Sequence, residues 1–366
     1  MTTTQRKMYG FFPLWGATFD SQDSAGIVGA DWTIRYPSFE EWRFFDKTDV
    51  WKERVPIPIS VVSDEIQSRA LPACLITTKS LAEGEDLGQG VERLWFPLLD
   101  EKKDALLSLR LLKPGWFLDP EFSFQTFTCE GNILRAVGPY RQLFLAGIPE
   151  GSPRGYDIKI GELSTTVDKT SPTLTLWNLL RKYRAENSRA SIEIAVENFH
   201  RSYGFQLSGS QRAIFLFTAL DALLGRLSAK EFGRVKFKTR FRSRLEAALH
   251  IATKKFVVRN IRADEEAGWL DTEGRVIRND IAHGNSEVVA YEAGENYERL
   301  QNIVRMVLRQ SIEFANKWAE TQKDICGTIQ ISTQATQMEA YNRTLDLCAQ
   351  KSTDALNLLD NSNGFI

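Results

Sequence analysis

The chain has 366 residues and a formal net charge of −1, with apolar and charged fractions ordinary for a globular protein. That length predicts about two domains, with enough apolar mass to form a core without staples. The four cysteines, Cys74, Cys129, Cys326 and Cys348, are far apart and show no C-x-x-C spacing, which argues against a zinc site and against a secreted disulfide framework. The opening residues lack the continuous apolar core of a signal peptide, and no run reaches the length of a membrane span. A cytoplasmic protein with reduced thiols is expected. The triplet Asn342-Arg343-Thr344 fits a glycosylation sequon but carries little weight without a secretory signal.

The expected fold class is α+β, an N-terminal mixed α/β domain followed by an all-α bundle. Residues 1–165 read as the mixed domain. Residues 55–62 alternate but contain Pro56 and Pro58, so they are at best an edge strand. Residues 104–112 read as a helix stopped by Pro114-Gly115. Residues 122–129 carry aromatics at period two and read as a better strand. The opening segment is dense in aromatics, among them Phe11, Trp15, Trp32, Trp42 and Trp51. Core packing of a small sheet accounts for most of this; a ligand- or partner-sensing surface is the sharper alternative.

Residues 162–170 are polar and read as a linker. From there the chain turns helical, and 171–320 reads as a bundle. Ser171 caps a first helix and Pro172 fits its first turn; this helix runs to about 184. A second places Ile192, Ala195, Val196, Phe199 and Tyr203 at helical spacing. A third, 211 to about 227, is apolar on nearly every face, which predicts deep burial. A fourth starts near 238, with Phe241, Leu245, Ala248 and Leu249 on one face. The last strong helix runs from 296 to about 319, with Leu300, Val304, Val307, Ser311, Phe314 and Trp318 as its stripe. Residues 321–366 read as a tail holding one amphipathic helix, 338–359, either solvated or acting as a dimer arm.

Much familiar chemistry is absent. No P-loop, dinucleotide fingerprint, H-E-x-x-H, EF-hand loop or G-x-S-x-G occurs. With His200, His250 and His283 as the only histidines, a histidine-rich metal site is nearly excluded. No cofactor and no metal are expected. His200 and His250 sit in amphipathic helices and read as rim residues. His283 closes the run Arg278-Asn279-Asp280-Ile281-Ala282-His283-Gly284, where polar groups crowd together before a glycine. A helix C-terminus with His283 as a capping cation is the structural account; a catalytic site is the other. Asp221 is the only charge in the apolar third helix between Ala213 and Gly225. A carboxylate placed there needs a cation, and Arg278 is the attractive partner.

Asp221 in Phe217-Thr218-Ala219-Leu220-Asp221-Ala222-Leu223-Leu224, followed by Arg278-Asn279-Asp280-Ile281-Ala282-His283-Gly284, resembles the HEPN superfamily, with the Apea-like branch as the nearest match. The resemblance covers about 171–320. Arg278, Asn279 and His283 fall on the family's R-x4-H motif; the family usually has glutamate where this chain has Asp221. The resemblance implies a metal-independent endoribonuclease, frequently a toxin or abortive-infection effector in antiviral defence, that dimerises so that two motifs share one cleft.

The residue types fit that chemistry. Cleavage through the 2′-hydroxyl needs proton transfer near neutral pH, which suits histidine. The anionic phosphorane suits a bidentate arginine. Positions five apart lie about 140° round a helix, so Arg278 and His283 converge only if the helix ends near Ala282 or the cleft is shared between copies. Between Leu174 and Arg262 roughly 18 Lys/Arg face about 6 Asp/Glu, an excess that suits a polyanion. Within it Arg234, Lys236, Lys238, Arg240, Arg242 and Arg244 alternate with less polar residues. In an extended conformation one face would be cationic and fit for RNA phosphates; a solvated helix flank is the competing account. The partners expected are RNA, a second copy of the chain, and a phage-derived or small-molecule activator at the N-terminal domain, with no membrane. Two other functions stay open: a non-catalytic RNA- or nucleotide-binding HEPN module, and a dimeric protein-interaction module.

Overall fold

The computed structural model describes residues 7–14, 25–29, 32–35, 73–80, 89, 93, 101–108, 110–111, 125–129, 132–137, 178, 180–181, 191–203, 207, 209–224, 229–255, 262–274, 276, 278–279 and 295–360. The chain divides into two compact units, Met1–Asn178 and Leu179–Ile366.

The first unit contains a six-stranded sheet. Its strands are β1 (Lys7–Leu14), β2 (Ala25–Gly29), β3 (Trp32–Arg35), β4 (Ala73–Ser80), β5 (Gln125–Cys129) and β6 (Asn132–Val137), in the order β2-β3-β4-β1-β5-β6. Every neighbouring pair is antiparallel. β1 is central even though it contains Pro13, which has no N–H to donate. The register explains why this is tolerated: β5 pairs only Met8 to Phe11, so Pro13 lies beyond that ladder and faces Cys74 of β4 alone. Trp32 and Ile76 are buried, and the Trp32 indole N–H donates to Glu101 at 3.2 Å. That bond ties β3 to the helical residues 101–108, where Ala105, Leu106 and Leu107 are buried together with Leu111 further on. Residues 104–108 and 110–111 of the helix expected at 104–112 are helical, and 125–129 of the strand expected at 122–129 are extended. The edge strand expected at 55–62, the linker at 162–170 and most of the helix expected at 172–184 lie outside the described residues, as do most of the opening aromatics.

Among its described residues the second unit contains helices joined by turns and no strand. α1 (Ser191–Arg201) buries Ile192, Ala195, Val196 and Phe199; Phe199 meets Tyr203 edge-on at 5.5 Å. α1 packs on α2 (Gly209–Leu224), and α2 on the long helix α5 (Glu295–Ile329). α2 buries Ala213, Leu216, Phe217, Leu220 and Leu223 but leaves Ile214 39% exposed, so it is not enclosed on every side as its composition predicts. α3 (Ala229–Lys255) starts well before the expected position near 238 and is helical through the basic run. The alternation of 234–244 is therefore not sorted into two strand-like faces. Arg and Lys are good helix formers, and the run continues into the helical-period stripe of Phe241, Leu245, Ala248 and Leu249, all buried. α4 (Ala263–Trp269) passes directly into a π-helical turn, Leu270–Gly274.

α5 carries the expected stripe, buried from Leu300 to Trp318, but continues ten residues past the expected end, with a break in helical geometry at Thr321. There the Thr321 hydroxyl donates to the Lys317 carbonyl, the back-bonding that bends helices. Beyond it stand two helices, α6 (Gln337–Ala349) and α7 (Thr353–Asp360), where one was expected. Neither is a solvated appendage: α6 packs on α3 and α5, and α7 on α5 and α6. Tyr341 donates to Gln310 at 2.9 Å and its ring meets that of Phe314 at a tilt, centres 5.3 Å apart, and Lys317 donates to the Leu358 carbonyl at 2.9 Å. Asn342 of the sequon is buried and donates to Met338, so the folded chain does not present it for modification. No helix among the described residues is long and apolar enough to cross a membrane.

Candidate functional site

Asp221 lies in the last turns of α2, on the side that also carries the exposed Ile214 and the half-buried Thr218. Those three positions recur at i, i+4 and i+7, one helical face. The chain that meets this face comes from α4. Trp269 is buried, with the Arg299 guanidinium 4.5 Å from its ring, and Arg299 also donates to Glu266 at 2.7 Å. Both contacts fasten α4 to α5. The π-turn then redirects the chain. Gly274 is buried at its end, where a β-carbon would stand 3.2 Å from Leu270 Cδ1 and 3.7 Å from Phe217 Cζ. The absent side chain lets the turn sit against Phe217. Such π-turns often mark functional positions.

Past the turn, Val276 is exposed and Arg278 and Asn279 are helical. Arg278 Nη2 donates to Asp221 Oδ2 at 2.5 Å, and its guanidinium carbon lies 5.8 Å from the Phe217 ring centre. The carboxylate thus has the cation that its apolar setting calls for. The Arg278 side chain remains 31% exposed and that of Asp221 15%. A guanidinium carries five N–H donors, and the Asp221 bond takes one of them. Asn279, beside it, is exposed. Arg278 is thus held by a carboxylate and an aromatic ring and remains partly open to solvent. His283, with Asp280 and the glycine after it, lies outside the described residues.

Phe217 was not singled out from sequence, although it stands one turn before Asp221 on α2. Among apolar neighbours an aromatic carries no separate signal.

The basic run divides. Arg244 is buried and donates to both oxygens of Asp346, at 2.7 and 2.8 Å, and to the Leu224 carbonyl at 2.8 Å. Arg240, one turn earlier, donates to the same carboxylate at 3.1 and 2.5 Å. These two arginines, read from sequence as phosphate contacts, hold α6 against α3. Burial alone would push the Asp346 carboxyl up, but hydrogen bonds and charge from Arg244 and Arg240 outweigh it and hold the group below its ordinary value. The Asp346 hydrogen bond in turn raises Arg240. Arg242 is exposed, with its Nη2 lying over Gly268 of α4. The side chains of Arg234, Lys236 and Lys238 lie outside the described residues. His200 is buried, and His250 is exposed on α3. Neither is close in sequence to the Asp221–Arg278 pair.

Among the described residues no group of three His, Cys, Asp or Glu side chains is placed to hold a metal ion. No family model matches the chain, and neither a curated protein nor a solved structure matches it.

Proposed function

We propose that this chain is a metal-independent endoribonuclease of the HEPN type, with a mixed α/β N-terminal regulatory unit and a helical bundle that carries the site. The observation that supports the reading most is the Asp221–Arg278 pair: an arginine fixed by a carboxylate and an aromatic ring, still open to solvent, five residues before His283. In the proposed reaction the 2′-oxygen attacks the adjacent phosphorus and loses its proton to a base. The 5′-oxygen of the next nucleotide leaves and takes up a proton. The products are a 2′,3′-cyclic phosphate and a 5′-hydroxyl. His283 serves as the general acid or base. Arg278 stabilises charge on the phosphorane, Asn279 orients the phosphate, and Asp221 holds the arginine. Arg242 and the side chains of Arg234, Lys236 and Lys238 contact RNA phosphates, whereas Arg240 and Arg244 act in the fold. A homodimer with a composite cleft and a role as an antiviral defence or toxin effector complete the proposal, on the strength of the family resemblance alone; the cytoplasmic location proposed with them rests on the scattered cysteines, which show no disulfide framework.

The test is cleavage of total RNA by the purified full chain, with and without EDTA, beside Arg278→Ala and His283→Ala. The expected result is chelator-resistant cutting that leaves 2′,3′-cyclic phosphate ends and is lost in both variants. Cutting abolished by EDTA, or unchanged in His283→Ala, overturns it. RNA binding without any product in wild type would instead identify a non-catalytic RNA-binding module.

A further inference from the structure

A second concavity lies in the helical unit, built from different residues. One face of α3, the start of α4, the corner between α6 and α7, and α7 itself line a half-open cavity of about 840 Å3. That volume is in the range of small-molecule sites. Its lining has two characters. Ile251, Ala349, Leu356 and Cys348 supply an apolar part; Cys348 is a buried free thiol that burial pushes up to about 12, so it stays neutral there. Lys254, Lys351 and Arg262 supply cations, and Glu246 and Asp264 supply carboxylates.

The cations are not equivalent. Arg262 is engaged by Glu265 at 2.6 Å and by Asp264 at 3.8 Å. Lys254 and Lys351 make no ion pair among the described residues. Glu246 stands eight residues before Lys254 on α3, about 12 Å along the axis at the helical rise, too far to neutralise it.

Lys351 carries the second observation. It follows the C-cap Gln350 of α6 and has φ 64°, in the left-handed region. Its N–H donates to the Cys348 carbonyl at 2.8 Å, and the Ser352 N–H to the Leu347 carbonyl at 3.0 Å, closing the helix end. Glycine is the residue this position favours, since a β-carbon is disfavoured there. Lys351 lines the cavity from this left-handed position, at a conformational cost that glycine avoids, and strain of this kind gathers at functional positions.

From these features we infer that this cavity binds a phosphate-bearing small molecule of about mononucleotide size. Lys254 and Lys351 hold the phosphate as point charges. Ile251 and Leu356 cover its body, and Glu246 and Asp264 accept its hydroxyl or amino hydrogens. The inference is independent of the ribonuclease proposal, and the cavity contains neither Arg278 nor Asp221.

The experiment is isothermal titration of the full chain with pyrophosphate, AMP and, as the uncharged control, adenosine. Wild type is expected to bind the two phosphates and not adenosine. Lys351→Gly relieves the left-handed residue, so its melting temperature stays at or above that of wild type, while its affinity for AMP falls at least about ten-fold. Lys254→Gln, on an exposed helix position, weakens AMP similarly. Arg278→Ala binds AMP as wild type does. The inference is overturned if wild type takes up neither phosphate at millimolar concentration, if adenosine binds as well as AMP, or if both lysine variants bind AMP like wild type.

Discussion

Two aspartate–arginine pairs sit in the same helical unit, and they differ in what surrounds them. Asp346 receives two arginines, Arg240 and Arg244, and both its oxygens are occupied; its side chain and that of Arg244 are 8% and 6% exposed. Asp221 receives Arg278 through one nitrogen, with the arginine almost a third exposed and an aromatic ring on one side. The first pair uses its charge internally, to hold α6 on α3. The second leaves donors for something outside. The two chemically like pairs thus differ in burial, and burial is not encoded in the two residue types.

The largest expected effect concerns the enclosed pair. Asp346→Ala leaves Arg244 buried beside a missing carboxylate, and should lower unfolding free energy by about 3–5 kcal/mol in urea titration. A loss no larger than that of Asp221→Ala breaks the comparison. On the proposed ribonuclease reading, Arg278→Ala should reduce RNA cleavage by about 10²–10³-fold, the range for a lost transition-state donor, while far-ultraviolet circular dichroism stays that of wild type. Asp221→Ala should cost about 1–2 kcal/mol, between an exposed pair and an enclosed one, in the same urea titration.

The pH dependence sharpens the contrast. The Asp346 carboxyl is held below its ordinary value of 3.8, so the folded state favours its charged form. Its stabilising contribution is complete above that value and is lost as pH falls through the lower folded value. The stability gap between wild type and Asp346→Asn should therefore narrow on acidification from about pH 6 to pH 2. A gap that widens reverses the sign and removes the ion pair from the account. The smallest effect is at the start of α6, where Thr336 and Glu339 form a reciprocal capping box. Thr336→Ala should cost about 1 kcal/mol, measured as a shift of the urea midpoint with unchanged slope.

Periodicity made the α1 and α5 stripes legible, since Ile192, Val196 and Phe199, and Leu300, Val304 and Val307, recur at helical spacing and all are buried. The Asp221–Arg278 pair was legible for a different reason: a lone carboxylate in an apolar helix demands a cation, and few arginines stand in a polar run. The end of α6 was not legible, because Lys351 takes the left-handed conformation without the glycine that normally announces it. The role of Arg240 and Arg244 was hidden as well. Their acceptor Asp346 lies about a hundred residues away, and a basic run looks the same whether it meets phosphate or a carboxylate of its own chain.

By itself the sequence determined the helical character of the second half, the buried stripes of α1 and α5, and the need of Asp221 for a cation, because propensity, hydrophobic period and the cost of a bare buried charge are local properties. Tertiary structure alone decided which arginines are consumed inside the fold and which still face outward. It also decided that α6 and α7 belong to the bundle and that Lys351 joins Lys254 on one cavity. Those outcomes depend on distances between residues far apart in the chain, and no local pattern contains them.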